Sequence, residues 1–215
     1  MERNIERILL VILIGGTLLT SRISAAVENM ILNGDFEQGP AEWNVAARPP
    51  AAMKMVIDAK EAVSGDVSAR LEIDNLGNRG THDLTLDSQS QINIKKGKTY
   101  TVDFWIKAEE DRTITIDFLM NHDPWTRQFQ VERIPVTTDW AVQFHTFEAT
   151  LSDPNMIFLF SFSKASNVNA KVTTWIDNVR FYEGEFDEQN LSGETPRAVS
   201  ARDKVALTWA SLKRR

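Results

Sequence analysis

Between Leu32 and Glu183, apolar and polar residues alternate in short runs, and almost no stretch shows the period of about 3.6 residues expected of an amphipathic helix. Alternation with a period of two is typical of β-strands that bury one face. Groups of Gly, Pro, Asn and Asp separate the runs and indicate turns. The candidate strands are 54–58, 68–74, 89–94, 99–108, 113–121, 127–136, 142–150, 156–164 and 171–182. Many short strands without helical crossovers predict an all-β fold, either an antiparallel sandwich or a barrel.

The alternation also assigns side chains to faces in two successive runs. The apolar residues expected to face the core are Tyr100, Val102, Phe104, Ile106, Ile114, Ile116, Phe118 and Met120. Trp105 and Asp117 then point outward, on strands that we interpret as neighbours sharing one polar surface. Such a surface suits sugar binding, because an aromatic ring stacks on the apolar face of a pyranose while carboxylates and amides bind its hydroxyls. An ordinary solvated sheet face with a single tryptophan is the alternative.

Size, charge and cysteine content restrict the class of protein. The 215 residues fit one domain with short appendages, since a domain commonly contains about 100–200 residues. A net charge of −6 argues against a nucleic-acid partner, because phosphate binding needs a basic face. The chain has no cysteine, which excludes disulfides, thiolate catalysis and cysteine-ligated metal sites.

The N-terminus predicts export. Arg3 and Arg7 precede an uncharged, mostly apolar run over 8–20, and small residues follow at 24–26. This arrangement is typical of a secretory signal peptide over residues 1–26, with cleavage after Ala26 or one residue earlier. An uncleaved membrane anchor is the alternative, although the run is shorter than the roughly 20 residues that span a bilayer. The protein is therefore expected to be secreted, extracellular or periplasmic, with no membrane span after cleavage.

The remainder of the chain divides into a domain and a tail. Residues 27–184 contain all the candidate strands. Residues 185–215 are interpreted as a linker and C-terminal tail, in which 185–196 are acidic and rich in turn residues. The last segment, 198–215, includes Trp209 and has the apolar spacing of a short helix, with a disordered tail as the alternative.

Two distant stretches, 33–37 and 175–179, carry carboxylates beside apolar residues, where a charge is costly to bury without a partner. Turn residues surround the carboxylates of the first stretch and of 64–66, so backbone carbonyls of these turns are also available as oxygen ligands for a cation. Calcium takes about 6–8 oxygen ligands from carboxylates and carbonyls. The residues expected to hold one structural Ca²⁺ are Asp35, Glu37, Asp66 and Asp177. Pairing of Glu37 and Asp177 with lysine or arginine is the alternative.

Six pieces of sequence occur in an order that resembles a known family. They are NGDFEQGPAEWNV (33–45), AVSGDVSARLEI (62–73), INIKKGKTYTVDFWIKAEEDRTITI (92–116), NHDPWT (121–126), TTDWAVQFHTFEAT (137–150) and TTWIDNVRFYEG (173–184). Together they resemble the carbohydrate-binding modules of families 4 and 9, with family 22 a close relative in shape, over about residues 29–183. The resemblance implies a β-jelly-roll sandwich like that of galactose-binding domains. It also implies non-catalytic binding of β-glucan, xylan or a related glycan, and a structural calcium held by the carboxylates named above.

Tryptophans are the first candidates for sugar-binding residues. Trp105 and Trp125 are expected to be stacking platforms, and Trp125 lies in a proline-containing loop among polar residues. The full expected set is Trp105, Asp117, Asn121, His122, Trp125, Arg127 and Gln128. A loop anchor that packs back on the domain is the alternative for Trp125. Trp43, Trp140 and Trp175 match packing positions of the family and are expected in the core.

The sequence disfavours an enzyme. A glycoside hydrolase needs two carboxylates about 5–5.5 Å apart for retention, or about 6.5–9.5 Å apart for inversion. The run 72–74, Glu-Ile-Asp, begins like a hydrolase strand motif, but no second glutamate follows at a suitable spacing. A cell-surface structural or adhesion domain that has lost sugar binding is the competing interpretation. Its sign would be that Trp105 and Trp125 are buried or lie on separate faces.

Overall fold

The computed structural model describes residues 28–78, 80–163 and 171–191, which form two antiparallel β-sheets packed face to face. The strands are β1 Trp43–Ala47, β2 Ala52–Asp58, β3 Ser68–Asn75, β4 Leu84–Ser88, β5 Ile92–Ile94, β6 Thr99–Ala108, β7 Arg112–Met120, β8 Arg127–Val136, β9 Ala141–Glu148, β10 Asp153–Ser161 and β11 Thr174–Glu183. A short 3-10 helix, Glu188–Leu191, follows the last strand. Within the described ranges, no helix has the length and apolar character needed to cross a membrane. The predicted all-β sandwich is confirmed.

The chain passes repeatedly from one sheet to the other. The order in the six-stranded sheet is β1-β4-β10-β7-β8, with β5 also paired to β10. The order in the five-stranded sheet is β2-β3-β11-β6-β9. The last strand is therefore inserted between β3 and β6, which brings the C-terminal end of the domain beside early strands. Such long-range antiparallel pairing across two sheets is the pattern of a jelly roll.

Aromatic rings fill the space between the sheets. Phe104 packs edge-on against Phe160 with 4.9 Å between ring centroids, and Phe118 packs against Phe181 at 4.6 Å. Each of these pairs joins a strand of one sheet to a strand of the other. The residues predicted to face inward on β6 and β7 lie in this core, with Met120 partly buried at its margin. Alternation therefore predicted the faces of these two strands correctly.

The predicted shared surface of Trp105 and Asp117 is wrong. Trp105 lies on β6 in the five-stranded sheet, whereas Asp117 lies on β7 in the six-stranded sheet. Both alternate with core residues and point away from the core, so they lie on opposite outer sides of the sandwich. Alternation specifies a side chain's direction from its own strand and says nothing about the partner strand. Here the connection 109–111 carries the chain to the other sheet instead of closing a hairpin.

Of the tryptophans predicted to lie in the core, Trp43 does so, and its Nε1 donates to the Asn33 carbonyl at 2.9 Å. The prediction is wrong for Trp140 and Trp175, which are half-buried outside the core cluster. Their ring centroids lie 5.9 and 5.0 Å from the ammonium of Lys107 on the outer side of the five-stranded sheet. Both rings are therefore positioned for cation–π contacts with the Lys107 ammonium, an interaction that an aliphatic side chain could not provide.

The chain continues along the five-stranded sheet after β11. Thr101 Oγ1 donates to the Gly184 carbonyl at 2.7 Å, and the rings of Phe144 and Phe186 stack with 3.8 Å between centroids. Phe186 belongs to the segment that the sequence assigns to a linker, so packing against the sandwich continues past residue 184. The predicted signal peptide, 1–26, and the tail beyond residue 191, including Trp209, lie outside the described residues.

Candidate functional site

One row of side chains crosses the whole outer face of the six-stranded sheet. The residues that lie opposite one another on neighbouring strands are Asn44 on β1, Asp87 on β4, Leu159 on β10, Asp117 on β7 and Gln130 on β8. We call this set the polar row. It spans about 19 Å, because neighbouring strands are about 4.8 Å apart. All its members except Leu159 carry an amide or a carboxylate, so the polar row suits a long ligand with hydroxyls along its length.

The buried carboxylate of Asp117 is the acceptor at the centre of a hydrogen-bond network. Arg127 donates from Nε to Oδ1 and from Nη2 to Oδ2, both at 2.8 Å. Gln130 Nε2 donates to Oδ2 at 3.1 Å, and His82 Nε2 lies 2.9 Å from the same oxygen. Burial alone would raise the pKa of Asp117, but the contacts with His82 and Arg127 outweigh burial and lower it. Asp117 is therefore ionised and fixes the orientation of Arg127, whose side chain is 46% exposed.

His82 ties a second loop to the polar row. The Thr81 carbonyl beside it accepts hydrogen bonds from Ser161 Oγ and Ser163 Oγ, which anchors the loop to the end of β10. The loop before β4 thus borders the polar row on one side, while Arg127 borders it on the other. Sequence reasoning gave no role to His82, because 35 residues separate it from Asp117 and no local pattern indicates their contact.

Asp87 is the second carboxylate of the polar row and was also missed. Burial raises its pKa, and the hydrogen bond from Thr85 and the nearby His82 offset this effect only in part. Its Oδ1 is buried and accepts no hydrogen bond from any described group. A buried acceptor without a donor is unfavourable, so Asp87 has capacity for one further hydrogen bond.

The loop 121–126 joins β7 to β8 and exposes Trp125 at one end of the six-stranded sheet. The Trp125 side chain is 55% exposed, so the ring is not packed back on the domain. Its φ is 57°, a conformation that bulky residues rarely adopt outside specific turns. The Trp125 amide donates to the His122 carbonyl at 2.7 Å, and the Met120 amide donates to the Thr126 carbonyl at 3.0 Å. Arg127 is the first residue of β8 and follows this loop, so the loop that exposes Trp125 leads directly into the hydrogen-bond network of Asp117.

The remaining predicted sugar-binding residues are in different positions. Asn121 is exposed in the loop. Gln128 turns toward the connection after β9, where its Oε1 accepts hydrogen bonds from the amides of residues 150 and 151 at 3.1 and 3.2 Å. Trp105 lies on the other sheet, away from the polar row. Of the predicted residues, the structure brings Asp117 and Arg127 into direct contact, and it places Asn121, His122 and Trp125 in the loop that precedes Arg127.

The carboxylate of Asp177 is fully buried at one end of the domain, where three chain segments meet. Its Oδ2 accepts hydrogen bonds from the amides of Val63 and Ser64 at 2.6 and 3.2 Å, and its Oδ1 accepts one from the Asn178 amide at 2.7 Å. Burial, together with the charge of Asp35, raises the pKa of Asp177 to about 7. Among the described residues, no lysine or arginine forms an ion pair with Asp177.

Glu37 lies against the same turn as Asp177. Its Oε1 accepts hydrogen bonds from the amides of Asp66 and Val67 at 2.6 and 3.1 Å. Gly65 has a φ of 63°, a conformation that favours glycine, and a Cβ atom there would lie 2.1 Å from this oxygen and displace the Glu37 carboxylate. In the described ranges, no three or more His, Asp or Glu side chains are grouped to hold a metal ion. A cation at this end would therefore need backbone carbonyls among its ligands.

The two carboxylate-bearing stretches lie side by side. The Val179 amide donates to the Gly34 carbonyl at 2.8 Å. A Cβ atom at Gly34 would lie 2.0 Å from the Val179 carbonyl oxygen, so only glycine permits this approach of the two backbones. The stretch 33–37 and the middle of β11 thus form one structural unit with the turn at 63–67.

A cavity of about 660 Å³ lies elsewhere, between the segment 28–32 and the strands around β5. Its walls include Glu28, Asn29, Leu32, Gln91 and Asn93. The cavity shares no residue with the polar row, the loop 121–126 or the Asp177 end, so it has no part in either predicted site.

Comparison with known proteins identifies the family. The family model described as a carbohydrate-binding domain, covering families 4 and 9, matches residues 28–167. None of the curated proteins matches the sequence significantly.

Several solved structures share the fold. A family 4 carbohydrate-binding module is 25% identical, with a TM-score of 0.57 over 72% of this chain and 99% of that chain. The N-terminal cellulose-binding domain of Cellulomonas fimi β-1,4-glucanase C is 17% identical, with a TM-score of 0.55 over 74% and 100% of the two chains. A family 22 xylan-binding domain from Paenibacillus barcinonensis is 14% identical, with a TM-score of 0.51 over 76% and 100%. At these identities, the last two show a likeness of fold alone. Since the family model matches more than half of the residues, the chain belongs to the carbohydrate-binding domain family that comprises families 4 and 9.

Proposed function

We propose that this protein binds a polysaccharide, without cleaving it, across the outer face of the six-stranded sheet. The observation that carries the proposal is the polar row on a chain of a carbohydrate-binding family, together with an exposed Trp125 in the loop that joins two strands of the same sheet. β-Glucan, xylan or a related glycan is the proposed ligand class. The cellulose-binding and xylan-binding domains of the same fold support this class.

The proposed binding mode follows from the chemistry of the face. A glycan lying along the polar row crosses the strands and meets amides at Asn44 and Gln130. The guanidinium of Arg127 offers donors, and Asp87 offers an acceptor for a sugar hydroxyl. Trp125 stacks on the apolar side of one sugar ring at the end of the row. Because Asp117 already orients Arg127, little side-chain entropy is lost on binding.

The contacts of Asp117 support binding without hydrolysis. A general base must be reachable by the proton that it abstracts, but Asp117 is fully buried and its oxygens accept hydrogen bonds from neighbouring side chains. The lowered pKa of Asp117 also makes it a poor proton acceptor. Asp87, the other acid of the polar row, has its pKa raised and no second free carboxylate opposite it in that row. The row therefore lacks the acid and base pair that glycoside hydrolysis requires.

Substitution of Trp125 tests the proposed face. Trp125→Ala is expected to weaken glycan affinity at least about tenfold, which corresponds to about 1.4 kcal/mol, because the exposed platform is lost. Affinity gels containing β-glucan or xylan identify the ligand, and calorimetry measures the change. Phe144→Ala is the matched control, because Phe144 is 48% exposed on the opposite sheet and its loss should leave affinity unchanged. A Trp105→Ala variant that loses binding while Trp125→Ala retains it would move the site to the other sheet.

One observation favours a second candidate, a structural or adhesion domain without glycan binding. Trp105 lies on the five-stranded sheet, whereas Trp125 lies in a loop between two strands of the six-stranded sheet, so the two tryptophans do not share one face as expected. Wild-type protein that is retained by no glycan in the same gels would establish this alternative and overturn the first.

A structural calcium at the Asp177 end is a further part of the proposal. The residues that would hold it are Asp35, Glu37, Asp66 and Asp177, with backbone carbonyls of the same segments. The support is a fully buried carboxylate that has no cationic partner among the described residues, beside the charge of Asp35. A bound Ca²⁺ would supply the positive charge that this end of the domain lacks.

Domains of this family typically act outside the cell. We infer that the protein is exported by the signal peptide predicted over residues 1–26. Secretion from the native host should yield a mature chain that begins at Val27, or at Ala26 for the alternative cleavage position. N-terminal sequencing of the exported protein checks this prediction, and a chain that retains Met1 would contradict it.

A further inference from the structure

The His122 side chain connects the loop that exposes Trp125 to the start of β10. Its Nε2 lies 3.0 Å from Oδ2 of Asp153, and its Nδ1 lies 2.8 Å from the Asp123 carbonyl oxygen. The Asp153 carboxylate is buried and is itself fixed, since its Oδ1 accepts a hydrogen bond from the Asn155 amide at 2.8 Å. The imidazole therefore connects a surface loop to a β-strand, and surface loops are in general more mobile than strands.

The same loop segment determines where the indole points. The Trp125 amide donates to the His122 carbonyl, so the backbone of His122 closes the turn that places Trp125. A second link between loop and strand is the hydrogen bond from the Asn121 amide to the Asn155 carbonyl at 2.9 Å. The His122 side chain contacts β10, and the His122 backbone holds Trp125. The position of Trp125 therefore depends on the contact of His122 with β10.

The partners of His122 specify its protonation state. A backbone carbonyl can only accept a hydrogen bond, and so can an ionised carboxylate. Both ring nitrogens therefore face acceptors, and only the imidazolium form carries a proton on each. Neutral His122 would lose one of the two contacts, because one ring nitrogen would then present a lone pair to an oxygen.

We propose that protonated His122 is a latch that holds the Trp125 loop against β10, so that glycan affinity is highest in mildly acidic medium and falls when His122 loses its proton. This inference rests on the proposed function for its ligand and goes beyond it by giving His122 a positioning role. His122 orients the stacking platform and need not touch the sugar.

The direction of the pH effect follows from the groups that face His122. These are Asp123 on its own loop and Asp153 on β10, both acidic. The hydrogen bond to the Asp123 carbonyl and the contact with Asp153 raise the pKa of His122 above its ordinary value. A raised histidine pKa means that the latch is complete below the unfolded pKa and is lost as the pH rises through the folded pKa.

The test compares wild type with Asp153→Asn and His122→Gln. NMR titration of the imidazole protons is tractable because the chain has three histidines. The pKa of His122 should lie above about 6.5 in the wild type and should fall in Asp153→Asn. In the same spectra, the indole resonance of Trp125 should shift with the His122 titration. A His122 pKa that is not raised, or that Asp153→Asn leaves unchanged, overturns the latch.

Glycan affinity provides the second readout. Wild-type affinity should fall about two- to fivefold between about pH 5.5 and about pH 8.5, the scale of losing one exposed ion pair. Asp153→Asn should flatten this dependence while leaving the His82 contact with Asp117 intact, and His122→Gln should bind weakly at both pH values. An unchanged pH profile in Asp153→Asn shows that the effect does not come from the contact between His122 and Asp153 and overturns the proposal. Wild type that binds no glycan at any pH overturns the proposed function, whereas the NMR titration still decides whether the latch exists.

Discussion

Asp103→Ala is expected to lower the free energy of unfolding by about 3–5 kcal/mol, the range for removing one partner of a buried ion pair. The Asp103 carboxylate is buried on β6, and Arg180 on β11 donates to it from Nε at 2.7 Å and from Nη2 at 3.1 Å. The buried Tyr182 hydroxyl donates to the same carboxylate at 2.9 Å. Alanine would remove the acceptor that this guanidinium and this hydroxyl share, in a place that water reaches poorly.

Thermal or denaturant unfolding of the purified protein measures this effect. A loss of this size should lower the melting temperature by at least about 6 °C in a chain of this length. Lys54→Ala is the control, because the ion pair of Lys54 with Glu72 is exposed to solvent and its loss should leave the melting temperature almost unchanged. An Asp103→Ala variant no less stable than Lys54→Ala would show that water replaces the lost acceptor.

The location of Asp103 gives the prediction a functional meaning. Its partner Arg180 follows the irregular segment of β11 at which the pairing with β6 shifts register, between Asp177 and Arg180. The ion pair thus fixes β11 three residues after the buried carboxylate of the proposed calcium site. We expect loss of Asp103 to loosen that end of the domain first, which hydrogen exchange at the Asp177 and Asn178 amides would detect.

Local sequence pattern predicted the individual strands well. The predicted bounds of β6 and β8 coincide with the observed ones, because long alternating runs end at clear turn residues there. β1 and β4 were missed, since each has five residues and too few alternations to separate from loop sequence. Strand existence is a local property, and short strands carry little local signal.

The alternation of apolar and polar residues along the chain did not predict which strands pair with each other. Trp105 was placed beside Asp117 because β6 and β7 are consecutive, yet these two strands belong to different sheets and do not pair with each other. Trp175 was misplaced for a different reason: it lies between the buried Thr174 and Ile176 and so faces outward by simple alternation. The resemblance to the family suggested a core tryptophan at this position, whereas the alternation along β11 would have predicted the outer side.

The candidate site was predicted in part for the same reason. Asp117, Arg127 and the loop 121–126 are close in sequence, so local reading could group them. His82 and Asp87 reach the polar row through β4, whose place beside β10 follows from long-range pairing alone. A polar residue in a short strand has many ordinary explanations, so the sequence contained no signal that singled out either residue.

Once calcium is removed, the free energy of unfolding is expected to decrease as the pH rises. The cause is the carboxyl group of Asp177. The pKa of this carboxyl is about 7 in the folded protein against an ordinary value of 3.8, because burial and Asp35 disfavour its charge. A raised carboxyl pKa means that the folded state holds the proton more tightly than the unfolded state does. The contribution of Asp177 to the free energy of unfolding is therefore most favourable below about pH 4. This contribution decreases as the pH rises toward 7. The difference between the two pKa values corresponds to about 4 kcal/mol.

Calcium should oppose this loss, because it binds the ionised carboxylate and competes with the proton. At a calcium concentration about 100 times the dissociation constant, the expected stabilisation is about 2.7 kcal/mol, present near neutral pH and small near pH 5. Melting curves with chelator and with added calcium, at several pH values, measure both effects. Asp177→Asn cannot ionise, so its melting temperature should depend less on pH and should not respond to chelator. If chelator leaves the wild type unchanged at every pH while the pH dependence persists, Asp177 is a buried acid without a metal. If neither effect appears, a cationic partner from the chain already neutralises Asp177, and the calcium proposal fails.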